Sequence, residues 1–536
     1  MKKELNILLI VMLLSSMASC ISNTDVVDGK SYPLAVSVSD YGFTSASGTK
    51  ATTRATESGY VTTFAKGDQI GLYIVNNSNA VETANLCLTY DGTNWDYPTE
   101  TTLYYDNTTN KRYFTYYPYQ STLTGAPTTS TATDAATFFA TAISDWTPAT
   151  DQSSQAKYTA SDLMVGTGTI GALASNATRP MTFSMAHQMA LVDMNFPYYY
   201  LSTDNNYTYT LGLTCSGFKP YHVSKGNYRY IIKPATNTSI WGYYCTTTSA
   251  NTNQIFNKAV KAATGTYQTM NVDNTSTSTS YTMNIGDYYL NDGSVIPNAT
   301  TNKYLLSKAI GVVFNTSTST TDQGHGWTHG YAMALTKALS AVSWSTDTIT
   351  TVLGSNNLIN TIAELKADLD GYTHSQMVKN TAGNDISSKY PAFYYALNYS
   401  TDQIQYKSHE GIDSNWYLPS IGQWYEICIN LGKMSSTPTA TTSDWIRWYN
   451  GDDKSSNNYA QIAATNINSY FISLINNGYN VDKILNNTTY ELIWSSSEYS
   501  NSRAYGADFA TAGDLGLASN LYKKNNLNSL RPVLAF

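Results

Sequence analysis

Charge is scarce in this chain. Asp, Glu, Lys and Arg make up 13% of its 536 residues. That low charge does not signal disorder, because 45 tyrosines and many β-branched residues supply what a β-rich folded protein needs. Positive excess is also missing. Lys and Arg number 31 against 38 Asp and Glu, a formal net charge of -7. Such a balance disfavours nucleic acid or an anionic lipid surface as a partner. Cysteine is sparse too. Cys20, Cys87, Cys215, Cys245 and Cys428 form no CxxC pair and show no regular spacing, so no metal-site pattern arises. Cys215 and Cys245 could pair or could be two buried thiols, and the sequence leaves both open. Long apolar runs are absent apart from residues 5–14, which are too few to span a bilayer. A chain of this length buries ample core without disulfide or metal. No motif implies a cofactor.

The first fifty-four residues describe a route more than a structure. Lys2 and Lys3 give a positive start, residues 5–14 are apolar except for Asn6, and Met17-Ala18-Ser19-Cys20 follows. Residues 1–19 therefore read as a lipoprotein signal peptide with Cys20 as the acylated residue. The alternative is an ordinary secretory signal beside an incidental cysteine. Several acyl chains would hold the protein firmly, at about 0.8 kcal/mol for each buried methylene. Next, residues 32–40 alternate, with Leu34, Val36 and Val38 on one side, which is a strand signal. Residues 43–54 are small, polar and open to proteases, and Lys50 and Arg54 are their only basic residues. Cleavage between Arg54 and Ala55, or alternatively after Lys50, would release a propeptide, 20–54, together with its strand. The remaining domain would expose unpaired backbone groups, which a strand of another subunit can fill.

From residue 55 to 273 the signals are mostly β, in one sandwich or two with a boundary near 190–210. A turn at Lys66-Gly67-Asp68 precedes an apolar strand. Asp91-Gly92 marks a hairpin. Residues 113–119 form an aromatic strand closed by Pro118, 121–141 read as a long surface loop, and 183–194 read as a buried strand. Residues 274–280 are low in complexity and read as a linker. The remainder, 281–536, reads as α+β. Helical patterns occur at 331–342, 358–369, 421–431 and 467–474. Short strands are expected at 491–494, 504–509 and 530–536, so the last residues belong to a folded module.

Residues 1 to about 273 resemble the fimbrillin-like lipoproteins of Bacteroides-type bacteria, the type V pilus subunits. The likeness is carried by the Cys20 lipobox, Thr53-Arg54-Ala55-Thr56, Phe64-Ala-Lys-Gly-Asp-Gln-Ile-Gly-Leu-Tyr73, Tyr113-Phe-Thr-Tyr-Tyr-Pro-Tyr119, His187-Gln-Met-Ala-Leu-Val192 and Phe218-Lys-Pro-Tyr221. The resemblance implies export as a lipoprotein, cutting by an Arg- or Lys-specific surface protease, and assembly with other fimbrial subunits by strand exchange. Residues 281–536 resemble a module related to the C-type-lectin-like fold. Its carrying stretches are Ile285-Gly-Asp-Tyr-Tyr-Leu-Asn-Asp-Gly293, Ala309-Ile-Gly-Val-Val-Phe314, Trp416-Tyr-Leu-Pro-Ser420, Trp494-Ser-Ser-Ser-Glu-Tyr499 and Arg531-Pro-Val533. The Glu-Pro-Asn or Gln-Pro-Asp loop, the Trp-Asn-Asp strand and the disulfides of sugar-binding lectins do not occur here, so this likeness does not imply calcium-dependent sugar binding.

Three stretches invite a chemical reading. His325 and His329, four apart around Trp327, would share a helix face and could hold a metal, but no further ligand follows at suitable spacing. Ser495, Ser496, Ser497 and Glu498 lack a Gly-x-Ser-x-Gly elbow and a neighbouring histidine, so they read as polar pairing at a strand end. Trp445, Trp448 and Tyr449, beside Asp452 and Asp453, place aromatic faces next to carboxylates, as a glycan contact requires. Core packing under a loop is the other reading of these aromatics. No nucleophile, metal or paired-carboxylate constellation emerges, so no enzyme is expected. The expectation is a fimbrial subunit at the cell surface, a tip or accessory adhesin whose ligand the sequence does not name. The fold would be multidomain: one or two N-terminal all-β sandwiches and a C-terminal α+β lectin-like module. An uncut, lipid-anchored glycan-binding protein of the outer membrane is the alternative.

Overall fold

A computed structural model of the chain describes residues 31–46, 60–106, 110–249, 252–273, 277–346, 351–354, 359, 361–402, 412–442, 445–448, 458–486, 490–510, 513–518 and 523–536. Cys20, Lys50, Arg54, Ala55, Tyr449, Asp452 and Asp453 lie outside the described residues. Two compact units form. The first takes the chain up to Asp40, then Phe64–Ala140 and Val165–Met185. The second takes Tyr41–Thr63, Thr141–Met164 and Ala186–Phe536.

The described chain opens with β1 (Tyr32–Asp40) and β2 (Thr44–Ser45). Then come β3 (Gln69–Val75), β4 (Val81–Tyr90), β5 (Trp95–Asp96), β6 (Tyr104–Tyr105), β7 (Arg112–Tyr117), β8 (Met164–Ile170) and β9 (Arg179–His187). The first unit is built on one eight-stranded sheet in the order β5-β4-β3-β7-β8-β9-β1-β6. Its expected turn is present, with Gly67 at φ +98°. So is its hairpin, in which Tyr90 faces Trp95. Gly67 suits its position because a side chain there would be strained. The stretch expected as a surface loop, 121–141, carries the helix Ala135–Phe138 and the start of Ala140–Asp145. Phe138 stacks on Phe114 at 4.4 Å and Phe139 meets Tyr73 at 5.4 Å. Two buried phenylalanines outweighed the Ser/Thr composition around them.

In the second unit β10 (Ala190–Asn195) lies at the centre of a five-stranded sheet. The order is Tyr221–Ser224, Asn227–Ile232, β10, Thr266–Asn271 and β2. The strand expected over 183–194 is thus two strands, β9 and β10, parted at Gln188 and Met189. The expected linker ends in a strand, Ser278–Tyr281, which pairs in parallel with Tyr198–Leu201. Threonine and serine suit a strand once a partner supplies the ladder.

Beside two three-stranded sheets, two larger ones complete the sheets of this unit among the described residues. One has five strands, in the order Val295–Ile296, Tyr288–Leu290, Ala309–Asn315, Tyr331–Ala334 and Val533–Ala535. The other has seven, with Tyr490–Glu498 and Ala504–Ala510 at its middle. Helix Ile421–Asn430 forms as expected, with a reciprocal cap between Ser420 and Gln423. The helix expected at 331–342 is instead two strands, Tyr331–Ala334 and Leu339–Val342. Tyr331–Ala334 is buried throughout between two neighbouring strands, where a short apolar run gives no period to read. The helix expected at 467–474 starts earlier, at Tyr459, and is interrupted after Ser469. Its inner face is mostly alanine: Ala460, Ala463 and Ala464 with Ile467, all buried. Helix Gly371–Ala382 was not signalled at all.

Candidate functional site

β1 is the strand that the sequence analysis expects to be lost on cleavage. In the first unit it lies between β9 and β6. It runs parallel to β9 in continuous register from Leu34 opposite Arg179 to Asp40 opposite Met185. On the other side, among the described residues, Tyr32 and Pro33 pair with β6. The alternation is as the sequence dictates. Ala35, Ser37 and Ser39 are exposed, while Leu34 is 2% exposed and Val36 and Val38 are half-buried. Opposite the two valines stand Met181 and Phe183, both buried. Leu34 is held further by its amide, which donates to Leu103 O at 2.8 Å, and by Tyr97, whose hydroxyl donates to Leu34 O at 3.0 Å. Burying one such leucine contributes about 1.5–3 kcal/mol. Withdrawing β1 would leave the β9 ladder without a partner over that register.

Past Asp40 the chain enters the second unit and makes a separate attachment that the sequence did not reveal. Gly42 takes φ +72°, and a Cβ there would stand 2.8 Å from Val61 and 3.1 Å from the Tyr60 carbonyl. Phe43 follows, 7% exposed. Its ring stacks on His187 with centroids 3.7 Å apart and planes at 18°. His187 Nδ1 is 2.7 Å from Asp162 Oδ2, which fixes the imidazole. The Phe43 amide donates to Tyr60 O at 3.0 Å, Thr44 N to Gly265 O at 2.9 Å and Ala46 N to Tyr267 O at 3.0 Å. Beyond the segment that holds Lys50 and Arg54, Tyr60 is anchored in turn. It stacks on Tyr267 at 4.0 Å and donates to Asp193 Oδ2 at 3.1 Å. Arg229 lies over its ring at 4.7 Å. Burial, and then the Asp193 charge, push the Tyr60 hydroxyl up to about 12. The sequence reads Phe43 as the start of the protease-open run, and the buried ring and the backbone bonds of Phe43, Thr44 and Ala46 correct that expectation at 43–46. His187 opens the fimbrillin-like stretch 187–192, but nothing in the sequence ties it to Phe43.

The aromatic residues expected to meet a ligand are divided. Trp448 is 1% exposed, stacks on Tyr425 at 6.2 Å and donates from Nε1 to Ser435 O at 2.8 Å. It is a core residue, and the ligand role expected for it is corrected. Trp445 is half-buried, with Arg447 over its ring at 4.9 Å.

His325 and His329 do not share a helix. His325 is exposed and stacks on Trp327 at 4.9 Å. His329 Nε2 is 3.0 Å from Asp204 Oδ2. Among the described residues no group of three His, Cys, Asp or Glu could hold a metal. Cys215 and Cys245 carry free thiols, raised by burial to about 12 and about 11.

The serine run acquires a histidine that its sequence neighbourhood lacks. His374 Nδ1 is 3.1 Å from Ser496 Oγ, and Ser497 Oγ donates to Asp368 Oδ2. His374 Nε2, however, is 3.9 Å from Asp368 Oδ1, beyond hydrogen-bond length. Ser495, Ser496 and Glu498 are fully buried. Burial pushes the Asp368 carboxyl above its usual range, against the pull of His374 and Ser497. Ser496 N donates to Pro419 O at 2.7 Å and Ile421 N to Ser497 Oγ at 2.8 Å. The network ties an irregular strand to the start of a helix.

Known proteins resemble this chain in sequence and in fold. Over 320 residues the chain is 30% identical to an inferred fimbrium tip subunit, Fim1C, of Bacteroides ovatus. The match takes in 55% of this chain and 56% of that protein, so the chain spans little more than half the length of the curated relative it matches. A crystal structure of a fimbrial protein from Bacteroides ovatus superposes with a TM-score of 0.55 at 22% identity. It covers 95% of this chain and 100% of the other, which shows a shared fold. Residues 53–355 match the family described as Fimbrillin-like; that is more than half of the sequence, and the chain belongs to the fimbrillin-like family of fimbrial subunits.

Proposed function

We propose that this chain is a surface fimbrial subunit that matures by losing β1 and then receives a strand from a neighbouring subunit in its place. The observation that carries the reading is the attachment of β1: apolar on one side, laddered to β9, and followed by the segment that holds Lys50 and Arg54. Export as a lipoprotein acylated on Cys20 and cutting by an Arg- or Lys-specific surface protease precede that exchange. Other fimbrial subunits are the partners, and the lipid anchor is the only membrane attachment before maturation.

Within the fimbrium we place the chain at the tip, or as an accessory adhesin. The tip description of the Bacteroides ovatus relative supports the placement. The lectin-like kinship of residues 281–536 belongs to this proposal, as does a glycan or protein ligand near Trp445, Tyr449, Asp452 and Asp453. A glycan array probed with the full chain tests that part.

Mass spectrometry of the N-terminus, on protein recovered from intact cells, tests the whole. The expected start is Ala55. Bulk protein that begins at an acylated Cys20 would overturn maturation and leave the anchored glycan-binding protein as the reading.

A further inference from the structure

The segment that leaves on maturation holds two attachments of different kinds. One is the β1 ladder, which any strand with alternating apolar residues can reproduce. The other is the Phe43 socket, which is more selective. Its floor is a flat imidazole fixed by Asp162. The Phe43 ring lies almost parallel to it at 3.7 Å, so the two faces overlap as only a second planar ring can, where an aliphatic side chain would touch with a few atoms. The entry is tight. The chain reaches the socket through a left-handed turn at Gly42, where a side chain would press on Val61 and the Tyr60 carbonyl. Backbone bonds from Phe43 to Tyr60, from Thr44 to Gly265 and from Ala46 to Tyr267 then hold the segment on either side of the ring. If cutting after Arg54 frees β1, it frees this ring as well. His187, 3% exposed with Phe43 in place, loses its cover, as does the buried Asp162 beside it.

We propose that the Phe43 socket is a second recognition point for the incoming subunit, which fills it with an aromatic side chain of its own. The inference rests on the strand-replacement reading and adds a sequence requirement to it. In this chain Leu34, Val36 and Val38 point inward and Gly42-Phe43 follows, so the ring stands five residues after the last inward valine. The partner's strand carries three alternating apolar residues and, at the same remove, a small residue followed by an aromatic one. A partner strand with the apolar alternation alone occupies the ladder and leaves His187 uncovered.

The test uses the cut protein, washed free of its N-terminal segment in mild denaturant and returned to buffer, with labelled peptides of residues 31–46. Four peptides are compared by fluorescence anisotropy: the native one, Phe43→Ala, Phe43→Tyr and Val36→Asp. The native and Phe43→Tyr peptides should bind alike. Phe43→Ala should bind at least about tenfold more weakly, given what loss of a buried phenyl ring costs. Val36→Asp should not bind, because it puts a charge on the inward side of the ladder. All the changes are in the peptide, so the acceptor's folding is not at issue. Equal binding of the native and Phe43→Ala peptides would overturn the socket and leave strand replacement standing. Failure of the native peptide to bind would overturn both.

Discussion

Lys524 and Glu498 form an ion pair with both side chains fully buried. The carboxylate also accepts from the amides of Val352 at 3.1 Å and Leu353 at 2.9 Å. The ammonium lies 4.9 Å from the centre of the Trp344 ring. Two charges out of water are tolerable only as a matched set. Lys524→Met should therefore cost about 3–5 kcal/mol, because it strands Glu498 as an uncompensated buried charge. Adding Glu498→Gln removes that charge and should restore part of the loss. Denaturant unfolding of the full chain, followed by tryptophan fluorescence, reads both variants. A single mutant that unfolds like the wild type would mean that water reaches the pair. The residue scale is also where the sequence was least legible. Ser495 to Glu498 stood out as polar pairing, but their partners Lys524, His374 and Asp368 come from 26 to 129 residues away. Polar side chains announce that they need partners and carry no sign of which.

Among elements, legibility followed the period of the pattern. β1 was readable because Leu34, Val36 and Val38 alternate with small exposed residues. Helix Ile421–Asn430 was readable because its apolar residues recur at helical spacing. Tyr331–Ala334 was misread because it is buried on both sides, and the alanine face of Tyr459–Ser469 because alanine barely marks a face at all. The readable helix also holds a feature that periodicity cannot supply. Gly422 sits in its first turn, where a Cβ would come within 2.2 Å of the Asp368 carbonyl and 2.9 Å of that of Leu365. Helix propensity favours alanine there by nearly 1 kcal/mol, so an exposed site would gain from the change. Here Gly422→Ala should instead destabilise by about 1–3 kcal/mol, the usual cost of overpacking a close contact. Thermal unfolding of the full chain gives the sign. A stabilised variant would mean that the helix stands off from residues 365–368.

At the scale of the whole molecule, the change of composition at 273–280 suggested two separable parts, and the core does not divide there. Leu201, Tyr209, Leu211 and Cys245 belong to the same buried cluster as Tyr288, Leu305, Trp416 and Phe536. Tyr209 donates to Val295 O at 2.8 Å, Tyr207 to Gly293 O at 2.6 Å and Tyr304 to Gly212 O at 2.9 Å. His329 pairs with Asp204 across the same join. The Fimbrillin-like match likewise runs on to residue 355. A fragment of residues 281–536 would lose Leu201, Tyr209 and Leu211 from its core, each worth about 1.5–3 kcal/mol, and would leave the Val295 and Gly293 carbonyls without these donors. Set against the 5–15 kcal/mol that holds a typical domain together, that loss approaches the whole margin. Expressed alone, the fragment should melt broadly and bind a hydrophobic dye, whereas the full chain should melt sharply and not bind it. If the fragment instead melts as cooperatively as the full chain, residues 201–245 contribute little to this core, and adhesion could be assayed on the fragment alone. The expected result obliges any binding experiment to use the intact chain, since a failure of the fragment to bind would report its unfolding and say nothing about a ligand.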